Sequence, residues 1–247
     1  MQPHHLAVSA PIADLLIGRG WFPAARVSAL PNGVALPSEE AVAEAERRRR
    51  AAGASREVRV GSIMEFRTQK DHATLLRAFA ALGRAAPRAR LILVGDGPRR
   101  TRIEELARQL GIRERVEFTG TVADPQPLLA TWDILAHAAE FEGQGLALLE
   151  AMAWRLPVVA TGVAGVRSTA THGREGLLVA PRDPAAFARA LRQLVRDADL
   201  RQQLGRRGRR RVADCFSLQT WGTRMLRLYA TLTADPAAMP SEDRCPS

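Results

Sequence analysis

Between residues 58 and 179 short apolar runs alternate with amphipathic stretches of roughly ten to fifteen residues, and this rhythm restricts the chain to one class of fold. The runs are Val58 to Met64, Arg90 to Val94, Val116 to Phe118, Ile134 to His137, Pro157 to Ala160 and Leu177 to Val179. Between and after them the spacing predicts helices at His72 to Leu82, Arg99 to Leu110, Gln126 to Thr131, Leu146 to Trp154, Val166 to Ala170 and Pro184 to Arg196. Such alternation is that of βα units, so the expected class is α/β, a doubly wound parallel sheet. Right-handed crossovers put helices on both faces and gather the carboxyl ends of the strands along one edge, where ligands of such sheets sit.

Two further helical patterns, Leu200 to Val212 and Leu218 to Leu232, follow the last strand, and Pro236 to Ser247 reads as a frayed tail. The first fifty residues differ in kind. His5 to Ser9 looks like a strand end opening a helix near Pro11, and Ala29 to Val34 like a strand running into an Asn32-Gly33 turn. Two such fragments have too little to bury against each other, so they read as the trailing edge of another domain.

Composition excludes several functions. No apolar run approaches the roughly 18 to 20 residues that span a bilayer, and the start has no signal-peptide pattern, so a cytoplasmic location is expected. Cys215 and Cys245 supply neither a disulfide framework nor a metal knuckle. The net charge of +10 rests almost wholly on arginine and favours anionic partners. Its densest clusters, Arg47 to Arg50 and Arg206 to Arg211, lie on helix-like segments without interleaved aromatics; they read as solvated faces, with peripheral contact at the inner membrane surface as the other reading and no specific nucleic acid.

The most informative stretch is Glu142-Gly143-Gln144-Gly145-Leu146, leading into a helix. Its glycines let backbone approach a ligand, and the helix start aims unpaired amides and the positive dipole end at any phosphate in the loop. Glu150, the only charge between Leu146 and Trp154, needs partners if buried; ribose hydroxyls would serve, as would an internal arginine or backbone amides. Glu142 is placed to meet sugar hydroxyls or developing positive charge, or else is an exposed loop carboxylate. Lys70, the only lysine, follows a strand end and offers a compact charge for a leaving phosphate, with Arg67 a second cation in the same loop. Gly95-Asp96-Gly97-Pro98 joins a strand to a helix, with Asp96 more a cap or turn former than a ligand contact, and Gly120-Thr121-Val122 offers backbone to a base. His72, His137 and His172 are too scattered for a zinc site, and no metal is expected.

Together these pieces resemble the C-terminal half of family 4 glycosyltransferases, retaining enzymes with two facing Rossmann-like domains in the GT-B arrangement. The resemblance runs from about Val8 to Tyr229 and rests on order and spacing: Pro31-Asn32-Gly33, the Lys70 loop, Val94 to Pro98, Phe118-Thr119-Gly120, Glu142 and Glu150 with seven residues between, Pro157 to Thr161, and Gly176 to Val179. It implies that Lys70 contacts the donor diphosphate, that Glu142 and the amides around Gly143 to Leu146 contact donor sugar and phosphate, and that Glu150 holds the ribose. Arg67, Gly95, Gly97, Val122, Gln144 and Gly145 join them as substrate-binding candidates. It further implies a UDP-, GDP- or ADP-sugar donor, no cofactor, no obligatory metal, and front-face transfer of a hexosyl group to an unidentified acceptor.

Departures fall where sugar is read. Ser62 stands where many relatives place an arginine, with Arg67 the proposed substitute; Ala139 replaces a common serine, Gln144 a common aromatic, and Ala164-Gly165 with Ser168 a Gly-Gly pair followed by glutamate. The expected organisation is a remnant of an N-terminal acceptor domain with hinge over 1–36, the nucleotide-sugar-binding domain over 37–217, a crossover helix over 218–235 and a disordered tail over 236–247. Most of the acceptor domain is absent from this sequence, so a partner chain or domain would complete the cleft. A sugar-nucleotide epimerase or phosphorylase on the same fold, and a non-catalytic anion or membrane-surface binder, are the alternatives.

Overall fold

The computed structural model describes residues 3–51, 57–83 and 86–234. Its centre is a six-stranded sheet, entirely parallel, of β3 (Val58–Ile63), β4 (Ala89–Val94), β5 (Val116–Gly120), β6 (Ile134–His137), β7 (Val158–Thr161) and β8 (Gly176–Val179), in the order β5-β4-β3-β6-β7-β8. The chain winds outward from β3 to β5, returns, and winds the other way from β6 to β8. The direction of winding reverses between β3 and β6, and there a crevice opens at the carboxyl ends.

Because successive residues of a strand face opposite sides, the sheet feeds two cores. Val60, Leu91, Leu93, Ile134, Ala136 and Val159 pack with α3 (His72–Ala80), α4 (Arg100–Gln109) and α8 (Pro184–Arg196). Ile92, Val94, Leu135, Val158 and Ala160 pack on the other side with α2 (Glu39–Ala51), α5 (Gln126–Leu129), α6 (Leu146–Ala153) and α9 (Ala198–Cys215). The short α7 (Ala164–Thr169) follows β7. Every predicted strand and helix of this region is present with ends moved by a few residues at most, and among the described residues no helix is long and apolar enough to cross a membrane.

The N-terminal fragments do bury against each other. β1 (His5–Ala7) and β2 (Val27–Ala29) pair in parallel through α1 (Ala10–Gly18), with Ala7, Ala13 and Val27 as a small core. The expected Asn32-Gly33 turn is replaced by extended chain: Val34 pairs with Ser217, and Val34 N–H donates to Phe216 O at 2.8 Å. Gly33 is required by proximity, since a Cβ there would lie 2.7 Å from Trp221 Cβ at the start of α10 (Leu218–Ala234).

Two composition-based readings are corrected. The arginine clusters are only partly solvated: Arg49 donates to Trp132 O and Trp154 O, and buried Arg209 to Ala153 O, Pro37 O and Glu39, each joining segments distant in sequence. Cys215, buried at the end of α9, is disulfide-bonded, where the sequence led to no such expectation. Cys245 and the predicted tail lie outside the described residues.

Candidate functional site

At the crevice between β3 and β6 lies a cleft of about 740 Å³. One wall is the 64–71 loop after β3, and it is held as a strand would be. Met64 N–H donates to Val94 O at 3.0 Å, Phe66 N–H to Asp96 O at 2.9 Å, and Asp71 N–H to Ala138 O at 2.9 Å. Asp71 also caps α3 through Thr74 N–H at 3.0 Å. Lys70 is thereby fixed at the carboxyl end of the sheet.

The opposite wall is the 142–145 loop. Gly145 has φ +83° and opens α6, which no side chain caps, so the first amides of the helix face the cleft rim without a side-chain partner. The loop is packed from behind by Gly165, where a Cβ would lie 2.1 Å from Glu142 O. Ser9 Oγ donates to Gly143 O at 2.6 Å and Thr169 Oγ1 to Gln144 O at 2.6 Å, which ties the loop to the N-terminal segment and to α7.

Lys70 and Glu142, 72 residues apart in sequence, meet here, Lys70 Nζ lying 2.6 Å from Glu142 Oε2. Their side chains are 23% and 14% exposed. The same carboxylate oxygen lies 2.9 Å from His137 Nε2, and Oε1 accepts from Gly143 N–H at 3.1 Å. Burial alone would raise the Glu142 pKa; hydrogen bonds from His137 and Lys70 and the charge of Lys70 outweigh it and hold the carboxyl at about 2. The site therefore presents a cation and a fixed anion side by side.

The remaining candidates divide. Arg67, Val122 and Leu146 line the cleft, with Arg67 paired to Glu65 at 2.7 Å and well exposed. Ser62, at the position where an arginine was missed, is buried with its hydroxyl unpartnered. Gly95 and Gly97 also line the cleft, but the space left by their missing Cβ atoms is filled by the Lys70 loop: Met64 O would lie 2.1 Å from the first and Phe66 O 2.8 Å from the second. Asp96 is the turn former expected, accepting from Gly97 N–H at 2.7 Å. Gln144 is 3% exposed, and its side-chain amide accepts from Asn32 N–H at 2.8 Å and donates to Asn32 O at 3.1 Å, so its functional group faces the linker.

Glu150 lies one turn along α6 from Leu146. The helix is buried except along Leu146, Ala147 and Glu150, so the all-round burial expected for it is corrected on that one face. Burial, and secondarily the charge of Asp124, raises the Glu150 pKa, and the carboxylate has no hydrogen bond or ion pair among the described residues. Among the described residues neither an internal arginine nor a backbone amide partners it.

The scattered spacing of His72, His137 and His172 in the sequence does not single out His137. The signal that identifies it is positional: it ends a strand buried at all four residues, five residues before Glu142. Among the described residues no group of three or more His, Cys, Asp or Glu gathers as a metal site.

A family model described as glycosyl transferases group 1 matches residues 44–211, more than half of the chain and all of the six-stranded sheet. The chain belongs to this family. Among curated relatives, the lipopolysaccharide core biosynthesis glycosyltransferase LpsE of Rhizobium meliloti is 36% identical over 70% of this chain and 49% of its own length. A GDP-mannose-dependent alpha-(1-6)-phosphatidylinositol monomannoside mannosyltransferase of Mycobacterium tuberculosis is 32% identical over 87% of this chain and 58% of its own. The chain thus spans about half the length of the curated relatives it matches. Among solved structures, HepE of Anabaena in complex with UDP and glucose superposes with a TM-score of 0.80 at 23% identity, over 92% of this chain and 62% of that one. Sucrose-phosphate synthase from Thermosynechococcus elongatus superposes with a TM-score of 0.78 at 28% identity, over 93% and 58%. The fold is that of GT-B glycosyltransferases.

Proposed function

We propose that this chain is the donor-binding half of a retaining hexosyltransferase and holds a nucleoside-diphosphate sugar in the cleft between the Lys70 loop and α6. The observation that carries the reading is the Lys70–Glu142 pair beside an uncapped helix start, at the crevice where the winding of the sheet reverses. A diphosphate brings negative charge that Lys70 and the amides around Gly143 to Leu146 would stabilise together. Glu142, freed of Lys70, would face the sugar. Glu150, half-buried and without a partner, would accept from ribose hydroxyls, and Val122 would contact the base. That solved relatives carry UDP or UDP-glucose supports the ligand class.

In the transfer step the bond from the anomeric carbon to the β-phosphate oxygen breaks, its electron pair leaving with the diphosphate. The acceptor oxygen bonds to the same face of the sugar, its proton passing to the departing phosphate, and configuration is retained. Lys70 would stabilise the charge gathering on the leaving group and Glu142 the positive charge at the anomeric carbon. The acceptor would come from a second domain or partner chain facing this cleft.

The test is calorimetric titration of UDP, GDP, ADP and their common sugar conjugates at about 150 mM salt, where surface charge is screened beyond roughly 8 Å, with the unaltered chain and Glu150→Ala. Saturable preference for one base, weakened in the variant, supports the reading. Folded protein with no preference, or binding indifferent to Glu150, overturns it and leaves arginine-driven association as the explanation.

A further inference from the structure

His137 closes β6 and its side chain is 3% exposed. Burial holds its pKa below the ordinary imidazole value, with Glu142 pulling the other way, so the ring is neutral near pH 7. A neutral imidazole has one N–H, and an ionised carboxylate can only accept. The hydrogen therefore sits on Nε2, donated to Glu142 Oε2 at 2.9 Å, and Nδ1 keeps a buried lone pair without a partner. This fixed tautomer makes His137 a one-directional donor.

Glu142 depends on three donors: Lys70, His137 and the Gly143 amide. They are not equivalent. Lys70 is a flexible ammonium lining the open cleft, where an entering diphosphate competes for it; the imidazole is enclosed at a strand end and has nowhere else to turn. A carboxylate only 14% exposed that lost Lys70 and had no His137 would keep the Gly143 amide on Oε1 alone, leaving Oε2 desolvated and without a donor. We propose that His137 is a positioning residue that keeps Glu142 ionised and aimed at the sugar subsite after Lys70 has moved to the donor diphosphate. The inference rests on the reading above, in which Lys70 meets the diphosphate and Glu142 the sugar.

It follows that His137 contributes to binding of the sugar conjugate and little to the bare nucleotide. Calorimetry with UDP, UDP-glucose, GDP and GDP-mannose on the whole chain reads this directly. His137→Leu removes the donor; His137→Gln restores an N–H near the position of Nε2. The expected result is affinity for the nucleoside diphosphate within about twofold of the unaltered chain in both variants, with affinity for its sugar conjugate lowered about tenfold in His137→Leu and largely recovered in His137→Gln. Equal loss for both ligands, or no loss, overturns the proposal, and thermal unfolding of each variant separates misfolding from lost positioning. Carboxyl titration of Glu142 by carbon NMR in the ligand-free protein gives a readout independent of any donor. A midpoint raised from about 2 in His137→Leu and restored in His137→Gln supports the contact, whereas an unmoved midpoint overturns it whatever the nucleotide result. If the unaltered chain binds none of these four, nor ADP or ADP-glucose, while that midpoint moves, the donor reading fails and takes the sugar-subsite role with it.

Discussion

The Glu142 carboxylate should give the protein a specific sensitivity to acid. Its pKa is about 2 in the fold against 4.5 when unperturbed, so above pH 5 both states are ionised and the contact contributes fully. As pH falls the unfolded chain takes up its proton first, and stability is lost progressively until the folded carboxyl titrates near pH 2. The whole displacement corresponds to about 3.4 kcal/mol, of which about 1.4 kcal/mol is gone by pH 3.5. Partial exposure of the pair makes both figures ceilings, and every other carboxylate of the chain titrates as well. The informative quantity is therefore the difference between the unaltered protein and Glu142→Gln, which keeps size and a hydrogen-bonding group but cannot ionise. Urea unfolding midpoints at pH 7, 5 and 3.5 should converge, the unaltered protein losing up to about 1.4 kcal/mol more than the variant between the first pH and the last. Parallel curves across that range would refute the assignment of Lys70 and His137 as effective partners of Glu142.

Two other sites make sharp predictions. Gln144→Ala strips half-buried Asn32 of partners for both its N–H and its C=O, so a loss of about 1–2 kcal/mol is expected, with faster amide exchange at Asn32 than in the unaltered chain; unchanged exchange there would mean that the side-chain clamp is not formed in solution. His72 is buried, its Nδ1 lies 3.0 Å from Lys70 O, and burial, partly opposed by that hydrogen bond, lowers its pKa to about 4. The unfolded chain then binds more protons between about pH 6.5 and pH 4, so His72 should cost stability as pH falls through that window, and proton NMR should show its ring neutral at pH 5.5; a midpoint near 6.5 would refute it.

The sheet was legible in the sequence because parallel strands buried on both faces must be continuously apolar, and Leu91-Ile92-Leu93-Val94 needs each residue for one core or the other. The N-terminal pair was misjudged for the opposite reason. Val27 to Ala29 is three residues long and little marked by β-branched side chains, and its pairing with His5 to Ala7 depends on a crossover through α1 that no local pattern states. Asn32-Gly33 misled through a sound rule applied to the wrong cause: the glycine is needed because Trp221 packs on it, a contact made across 188 residues.

The site shows the same division between local and distant causes. Glu142, Lys70 and Glu150 could be singled out because each is chemically out of place in its own segment: a carboxylate among glycines, the one lysine of an arginine-rich chain, a charge in an apolar helix. Gly95 and Gly97 were equally conspicuous, yet the structure spends their freedom on bringing the Lys70 loop close, which only the register of neighbouring strands reveals. Gln144 lines the cleft as a substrate candidate would, and its side-chain amide also grips Asn32, a contact that no local pattern states. That grip, with Ser9 on Gly143 and Gly165 beneath Glu142, joins the loop holding the catalytic candidate to the N-terminal segment as well as to the sheet. A ligand drawing on Glu142 or the first amides of α6 must therefore act against, or through, contacts that reach the linker at Asn32. Substitution of Gln144 should on this account alter nucleotide affinity, and a Gln144→Ala variant with the affinity of the unaltered chain in calorimetry would refute the coupling.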